Sequence, residues 1–172
     1  MRVIAGEFGG RRLQTAAGFT TRPTTDKVRQ AMFNSLDSSG VLDDAVVLDL
    51  YAGSGALGIE ALSRGAAKCT FVERDRSALL ALRANIELLQ LGDRATVVGT
   101  DVLAWAPSAR NIDLVFADPP YDFEGWDRLL SLLQAPLVVA EADHEIQAPS
   151  GWQLVRSRRY SRTWVTVLER LT

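Results

Sequence analysis

An apolar run that passes directly into a glycine-rich turn constrains the fold of this chain more than any other segment. Val46–Tyr51 is almost continuously apolar, as buried parallel strands are. The overlapping segment from Asp49 to Gly58 contains the spacing G-x-G-x-x-G, which permits a tight turn and brings a ligand close to backbone amides at a helix N-terminus. Leu57, Ala61 and Leu62 then share one helical face. The segment predicts a strand, turn and helix with a nucleotide site at the turn.

Strand-like and helix-like segments alternate along the chain after this point. We predict further strands at Cys69–Val72, Ala95–Val98, Ile112–Ala117 and Leu137–Ala140, and helices at 25–37, from Ser77 to about Leu91, at Asp101–Ala106 and at Trp126–Leu133. Two strand-like runs, Trp152–Tyr160 and Trp164–Leu168, end the pattern and predict a hairpin on the sheet edge. The fold class is therefore α/β, a doubly wound Rossmann-like sheet that is mostly parallel with an antiparallel edge strand.

The first 24 residues predict a small basic arm rather than part of the large core. Residues 2–6 and 10–14 flank a glycine-containing turn and are typical of a β-hairpin. Residues 23–26 supply turn and N-cap chemistry for the first helix. We therefore divide the chain into an N-terminal arm, residues 1–24, and one α/β domain, residues 25–172.

The net charge of −2 conceals an uneven distribution of charge along the chain. Residues 1–29 carry six Lys or Arg against two acids, and residues 151–172 carry five Arg against one acid. Two basic ends around an acidic middle predict a basic face that can meet phosphate groups. The same cations would also suit edge strands, where they block aggregation, so that interpretation stays open.

Composition argues against several kinds of site. The chain has one cysteine, Cys69, and one histidine, His144, so we expect no internal disulfide and no metal site. We expect Cys69 in the core and His144 at the surface. No run approaches the roughly 20 apolar residues of a membrane span, and residues 1–10 lack a signal peptide's apolar stretch. The expectation is a soluble, cytoplasmic monomer without membrane association.

The motif from Asp118 to Tyr121 is the candidate catalytic feature. Pro119 and Pro120 have no backbone N–H, so the Pro119 carbonyl and the Asp118 carboxylate could accept hydrogen bonds from a substrate NH₂ group. Such acceptors favour a pyramidal nitrogen that can attack an electrophilic methyl group. Tyr121 would hold a planar ring by stacking. A strand that ends in a proline turn is the structural alternative.

Four acids occur at the ends of successive predicted strands: Asp49, Glu73, Asp101 and Asp118. Open α/β sheets bind ligands at this edge. Glu73 could accept both ribose hydroxyls, and Asp101 an adenine amino group. Asp49 suits an ammonium group better than a pyrophosphate, so a cationic sulfonium nucleoside with an amino-acid tail fits this crevice better than NAD. Each acid alone could instead be a capping or turn residue.

Together these residues resemble the class I S-adenosylmethionine-dependent methyltransferases, in the branch that methylates exocyclic amines and carries [D/N/S]-P-P-[Y/F/W]. The whole chain more narrowly resembles the RsmD-type 16S rRNA guanine-N2 methyltransferases. The resemblance covers residues 2–6 with 10–11, 22–34, 49–65 and 118–121, and residues 22–34 are its most specific part. It implies methyl transfer from S-adenosylmethionine to the N2 amine of one guanine in 16S rRNA, in the small ribosomal subunit or its assembly intermediate.

The resemblance also implies three sets of site residues. The catalytic set is Asp118, Pro119, Pro120 and Tyr121. The cofactor-binding set is Asp49, Tyr51, Ala52, Gly53, Gly55, Glu73, Arg74, Asp101 and Val102. The RNA-binding set is Arg11, Arg12, Arg22, Lys27, Arg156, Arg158 and Arg159, with Arg22 the candidate for a role near the base. The chain departs from its relatives at residues 160–163, which read Tyr-Ser-Arg-Thr where relatives have Tyr-Gly-Asp-Thr. We expect this departure to affect the last hairpin and to leave the chemistry unchanged.

Three alternatives stay open. An amino-methyltransferase acting on adenine N6, cytosine N4 or a protein glutamine would carry a similar motif, although Asp at position 118 disfavours the glutamine class. The absence of a separate target-recognition domain disfavours sequence-specific DNA enzymes. A non-catalytic RNA-binding assembly factor could keep this fold, but the four intact acids disfavour it. An NAD oxidoreductase would need a hydride acceptor site, for which the sequence shows no candidate.

Overall fold

The structure, a computed structural model, describes residues 1–17 and 25–172. Its strands are β1 Val46–Leu50, β2 Lys68–Glu73, β3 Ala95–Gly99, β4 Leu114–Ala117, β5 Leu137–Ala142, β6 Trp152–Tyr160 and β7 Thr163–Arg170. Its helices are α1 Asp26–Ser39, α2 Ala56–Ser63, α3 Arg76–Leu88, α4 Val102–Trp105 and α5 Trp126–Leu132, and a 3-10 turn at Ala106–Ser108 follows α4. In the part of the chain that the structure describes, no helix is long and apolar enough to cross a bilayer.

The strands form one seven-stranded sheet in the order β3-β2-β1-β4-β5-β7-β6. Strands β1 to β5 pair in parallel, and β7 pairs antiparallel to both β5 and β6. This confirms the predicted mostly parallel, doubly wound sheet that ends in a hairpin. The last strand lies inside, with β6 at the edge, because β7 carries buried residues on its central part whereas β6 is exposed along most of its length.

Alternate side chains of the central strands supply a core on each face of the sheet. The first core lies between the sheet and helices α1, α2 and α3, and includes Phe116, whose ring centroid lies 5.2 Å from that of Phe33 on α1. The second core lies under α4 and α5 and includes Val115. Cys69 is buried in the first core, as predicted, and His144 is exposed beside Asp143, also as predicted.

The N-terminal arm is a hairpin-like segment that docks onto α2. A single antiparallel bridge joins Arg2 and Arg12. The side chain of Glu60 accepts hydrogen bonds from two backbone amides of the arm, at 2.8 and 3.1 Å. The expectation that the arm lies outside the large core is wrong for Val3 and Leu13, which are buried in the first core. The division at residue 24 adjoins residues outside the described ranges and stays a prediction.

Several predicted boundaries differ from the structure by one to three residues, among them the start of α3 and the end of β5. Asp75, not Ser77, caps α3, because its carboxylate accepts a hydrogen bond from the Ala78 amide at 2.8 Å. Strand β5 continues past Ala140 to Ala142, since β7 pairs with it over that length. The longer strand places Glu141 inside the sheet.

Candidate active site

The four acids predicted to share one edge of the sheet do so. Strands β3, β2, β1 and β4 are consecutive neighbours, and their carboxyl ends carry Asp101, Glu73, Asp49 and Asp118 respectively. Parallel strands end at the same side of a sheet, which is where open α/β sheets bind ligands. The structure therefore brings the two predicted halves, the nucleotide turn and the Asp118 motif, into one crevice.

The glycine-rich turn between β1 and α2 depends on backbone conformations that favour glycine. Gly53 and Gly55 have φ values of 56° and 87°, and Tyr51 also has a positive φ of 58°. Gly58 faces Phe71 and Cys69 so closely that a Cβ atom there would lie 2.3 Å from the Phe71 ring. Close packing of α2 on β2 fixes where the turn and its amides lie.

Asp49 connects this turn to the strand beneath it. Its carboxylate is buried and accepts a hydrogen bond from the Gly58 amide at 2.9 Å. Burial raises the pKa of Asp49 from its ordinary 3.8 to about 8, the Gly58 amide opposes the rise, and the charges of Glu73 and Glu141 add to it. Asp49 thus has a structural role in the turn, which the sequence analysis kept as an alternative, and its predicted contact with an ammonium group stays a prediction.

Glu73 is held in place by the backbone at the end of β2. One carboxylate oxygen accepts from the Gly53 amide at 2.8 Å, and the other accepts from the amides of Arg74 and Asp75, each at 2.8 Å. A carboxylate offers about four lone-pair sites, so three fixed amides orient it strongly. The Glu73 carboxylate, which we predict to bind the ribose, is therefore held rigidly beside the glycine turn.

Tyr51, Arg74 and Asp101 form one rim of the crevice. Asp101 caps α4 by accepting from the Ala104 amide at 3.1 Å, and its other oxygen lies 3.3 Å from an Arg74 guanidinium nitrogen in an exposed ion pair. Partial burial raises the pKa of Tyr51 to about 12, the Asp101 charge adds to the rise, and Arg74 opposes it. Two other predicted cofactor residues, Ala52 and Val102, are buried in the walls behind this rim.

The motif after β4 presents hydrogen-bond acceptors beside an exposed ring. The Pro120 carbonyl accepts from the Phe123 amide at 2.9 Å, which closes a turn. Within the described ranges no donor bonds to the Pro119 carbonyl or to the Asp118 carboxylate. Tyr121 is 45% exposed. Two acceptors without a donor in the described ranges, the half-buried Asp118 and the buried Pro119, thus lie next to an exposed ring, and their catalytic role stays a prediction.

Glu141 is a buried acid of this site that sequence reasoning missed. Burial raises the pKa of Asp118 well above its usual range, and the charges of Glu141 and Asp49 raise it further. Glu141 is 3% exposed on β5. In the sequence, Glu141 is a single acid directly after the apolar run Leu137–Ala140, where we predict the strand to end. The observed strand continues through it to Ala142.

The predicted RNA-binding cations lie at separate places in the structure. Arg156 and Arg158 line a groove between α1 and β6, where Arg156 donates to the Ser35 hydroxyl at 2.8 Å. Arg11 instead donates to the Leu88 carbonyl at the C-terminal end of α3. Three further cations of the set, Arg12, Lys27 and Arg159, are exposed. Arg22 lies outside the described residues.

No group of three or more acids, histidines or cysteines able to hold a metal ion occurs in residues 1–17 and 25–172. This finding concerns only those ranges.

Comparison with known proteins places the chain in a family. The family model described as Conserved hypothetical protein 95 matches residues 1–169. The chain belongs to this family. YlbH of Bacillus subtilis (strain 168) is 38% identical over 99% of this chain and 99% of that protein. Ribosomal RNA small subunit methyltransferase D of Escherichia coli (strain K12) is 36% identical over 92% of this chain and 84% of that protein.

The solved structure of yhhF from Escherichia coli has the same fold, with a TM-score of 0.85 at 34% identity over 99% of this chain and 97% of that one. The predicted resemblance to the RsmD-type methyltransferases is confirmed by these matches. Because they extend over nearly the whole chain, the arm and the terminal hairpin belong to the fold that Conserved hypothetical protein 95 members share.

Proposed function

We propose that this protein transfers a methyl group from S-adenosylmethionine to the exocyclic N2 amine of a guanine in 16S rRNA. The observation that carries the proposal is a pair of acceptors, the Asp118 carboxylate and the Pro119 carbonyl, that no donor of the described residues occupies, beside the exposed Tyr121 ring. An amine with two hydrogens matches two acceptors. The Escherichia coli relative named ribosomal RNA small subunit methyltransferase D supports the RNA substrate.

The residues of the crevice fit the proposed cofactor. Glu73 is fixed by three backbone amides, which leave about one of its lone-pair sites for a ribose hydroxyl, and Asp101 would accept the adenine amino group. The turn has a positive φ at Gly53, and a Cβ atom there would meet no atom within 4 Å, which leaves space for the ligand next to the backbone. Asp49 adds a carboxyl group beneath the turn. When bound there, S-adenosylmethionine supplies an electrophilic methyl group on a sulfonium centre.

The chain's own residues then orient the amine. The target guanine leaves its stack and lies against Tyr121, at a cost of a few kcal/mol that is smallest for an unpaired base. Asp118 and the Pro119 carbonyl accept the N2 hydrogens, which directs the nitrogen lone pair at the methyl group. The bound cofactor would supply the methyl group, and its sulfur, which would keep the electron pair of the broken bond, would be the leaving group. The proton leaves to Asp118 or to water, because the amine becomes acidic only once it is methylated.

The proposed partner is the small ribosomal subunit or its assembly intermediate, in the cytoplasm, with the protein acting as a monomer. Arg156 and Arg158 on β6, with the exposed Arg159, would contact phosphates near the crevice. Arg11 and Arg12 on the arm would extend the contact to a second side of the molecule. The contribution of Arg22 next to the base is part of the same proposal.

Substitution of Asp118 distinguishes the proposed enzyme from the main alternative, an RNA-binding assembly factor without catalytic activity. Asp118→Ala and Asp118→Asn should lose methyl transfer to small subunits by at least about 100-fold, as loss of a positioned acceptor does. Both variants should still bind S-adenosylmethionine and RNA, measured by calorimetry and filter binding. If Asp118→Ala methylates normally, the motif is not catalytic. If wild type binds both ligands yet never methylates, the assembly-factor function replaces this proposal.

A further inference from the structure

Glu141 is an acid within the sheet rather than at its surface. It lies on β5, between β4 and β7, and is 3% exposed. Its neighbours along the strand, Ala140 and Ala142, are buried apolar residues of the second core. Glu141 is therefore a titratable group inside the sheet, where charges act on one another more strongly than they do in water.

Strand register places Glu141 next to the candidate catalytic acid. On the parallel strands β4 and β5, Phe116 pairs with Val139 and Ala117 pairs with Ala140. Continuing the register by one residue sets Asp118 beside Glu141. Phe116 and Val139 both point into the first core, so the alternation of side chains puts Asp118 and Glu141 on that same face.

We propose that Glu141 is a positioning residue whose carboxylate strengthens Asp118 as the acceptor of the proton released from the methylated amine. The inference rests on the proposed function and deepens it, because it assigns the proton to Asp118 rather than to water. In the balanced step the N–C bond forms, the S–C bond breaks with its electron pair on sulfur, and the N2 proton moves to the Asp118 carboxylate. A neighbouring negative charge in a buried site makes a carboxylate a stronger proton acceptor.

Groups from several elements of the described ranges face this pair or lie near it. From β1, Asp49 faces the same core and its charge also acts on Asp118. On β7, Val165 pairs with Glu141 and carries no titratable group, and β6 brings Arg158 opposite Val165. From α1 comes Arg29, whose buried guanidinium binds the Asp26 carboxylate and the Arg2 carbonyl. Of these charges, Glu141 and Asp49 are the two that raise the pKa of Asp118.

The test is the pH dependence of kcat for methylation of small subunits, compared among wild type, Glu141→Gln and Glu141→Asp. Activity requires ionised Asp118, so kcat rises with pH. Removing the neighbouring charge in Glu141→Gln should move the midpoint of this rise to lower pH and lower the plateau on the order of tenfold, since a weaker base accepts the proton less well. Glu141→Asp keeps the charge and should keep a midpoint closer to that of wild type. Binding of S-adenosylmethionine serves as the control for folding.

A lower plateau with an unmoved midpoint in Glu141→Gln would mean a purely structural role and would overturn the inference. If Glu141→Gln fails to fold, carboxyl-carbon NMR of the wild-type protein decides. Asp118 and Glu141 should then titrate in two shared steps, whereas independent single steps would contradict the coupling. Wild-type protein that methylates no guanine would instead refute the proposed function itself, so the two failures are distinguishable.

Discussion

The hydroxyl of Tyr121 lies 3.4 Å from the hydroxyl of Thr163, a residue 42 positions later in the chain. Thr163 begins β7, directly after a turn in which Ser161 has a positive φ of 58°. Residues 160–163 are also where the sequence departs from its relatives. The terminal hairpin therefore reaches the stacking ring of the candidate active site, and its turn is part of that site's wall.

Removing the Thr163 hydroxyl should loosen the Tyr121 ring. A hydrogen bond between neutral groups contributes about 0.5–1.5 kcal/mol, and the 3.4 Å separation places this one at the weak end. Thr163→Val should therefore lower kcat/KM about twofold to threefold without changing cofactor affinity. Tyr121→Phe keeps the ring and should have a similar effect, and the double variant should be no worse than either single one. Fully additive losses would show that the two hydroxyls act independently.

The arginines of β6 should contribute the salt dependence of RNA binding. Each phosphate contact to a single strand adds roughly 0.7 to the slope of log affinity against log salt. Arg158→Ala and Arg159→Ala should each reduce that slope by about this amount, measured by filter binding at several salt concentrations. Arg110 is exposed and precedes the central strand β4, at the amino-terminal ends of the parallel strands, so Arg110→Ala is the matched control. Equal slopes in all three variants would remove β6 from the RNA-binding face.

Burial of Asp49 should make the protein less stable as the pH rises. The folded state raises the pKa of Asp49 from 3.8 to about 8, so between these values the folded chain holds a proton that the unfolded chain has lost. The free energy of unfolding then falls with increasing pH across that window. Asp49→Asn removes this titration and should flatten the fall measured by urea unfolding from about pH 5 to pH 8. Exposed Asp44→Asn is the control, and a slope in Asp49→Asn as steep as in wild type would contradict the prediction.

Packing at Gly58 should not tolerate a methyl group. A Cβ atom there would lie 2.3 Å from the Phe71 ring and 2.6 Å from the Cys69 sulfur, so α2 would have to move away from β2. Overpacking of this kind costs about 1–3 kcal/mol, and we expect Gly58→Ala to lose that much free energy of unfolding. A Cβ atom at Gly92 meets no atom within 4 Å. Gly92→Ala should therefore be nearly neutral, and equal losses in both variants would show that the effect is not steric.

The sequence predicted the sheet because its central strands are buried on both faces and are therefore continuously apolar, as in β1 and β4. It predicted the shared edge of Asp49, Glu73, Asp101 and Asp118 because parallel topology alone brings strand ends together. The local sequence pattern was less informative where pairing between distant strands decides how far a strand extends. Glu141 was missed because only β7 pairing shows that β5 continues through it.

Other features depended on contacts that no local pattern contains. Asp75 and Ser77 are both good helix caps two positions apart, and the structure selects Asp75. The bond from the Gly58 amide to Asp49 spans nine residues across a turn, so it is seen only once α2 is packed on the sheet. Arg11 and Arg156 have the same charge, yet only Arg156 lies in the groove beside α1.

Identification of the methylated nucleoside tests the central claim most directly. Small ribosomal subunits from cells that lack this protein would be incubated with it and radiolabelled S-adenosylmethionine, and the rRNA would then be digested and its nucleosides separated. The account predicts label in N2-methylguanosine from 16S rRNA with wild type and none with Asp118→Ala. Label in an adenine, a cytosine or a protein would contradict the guanine-N2 assignment and support another amino-methyltransferase.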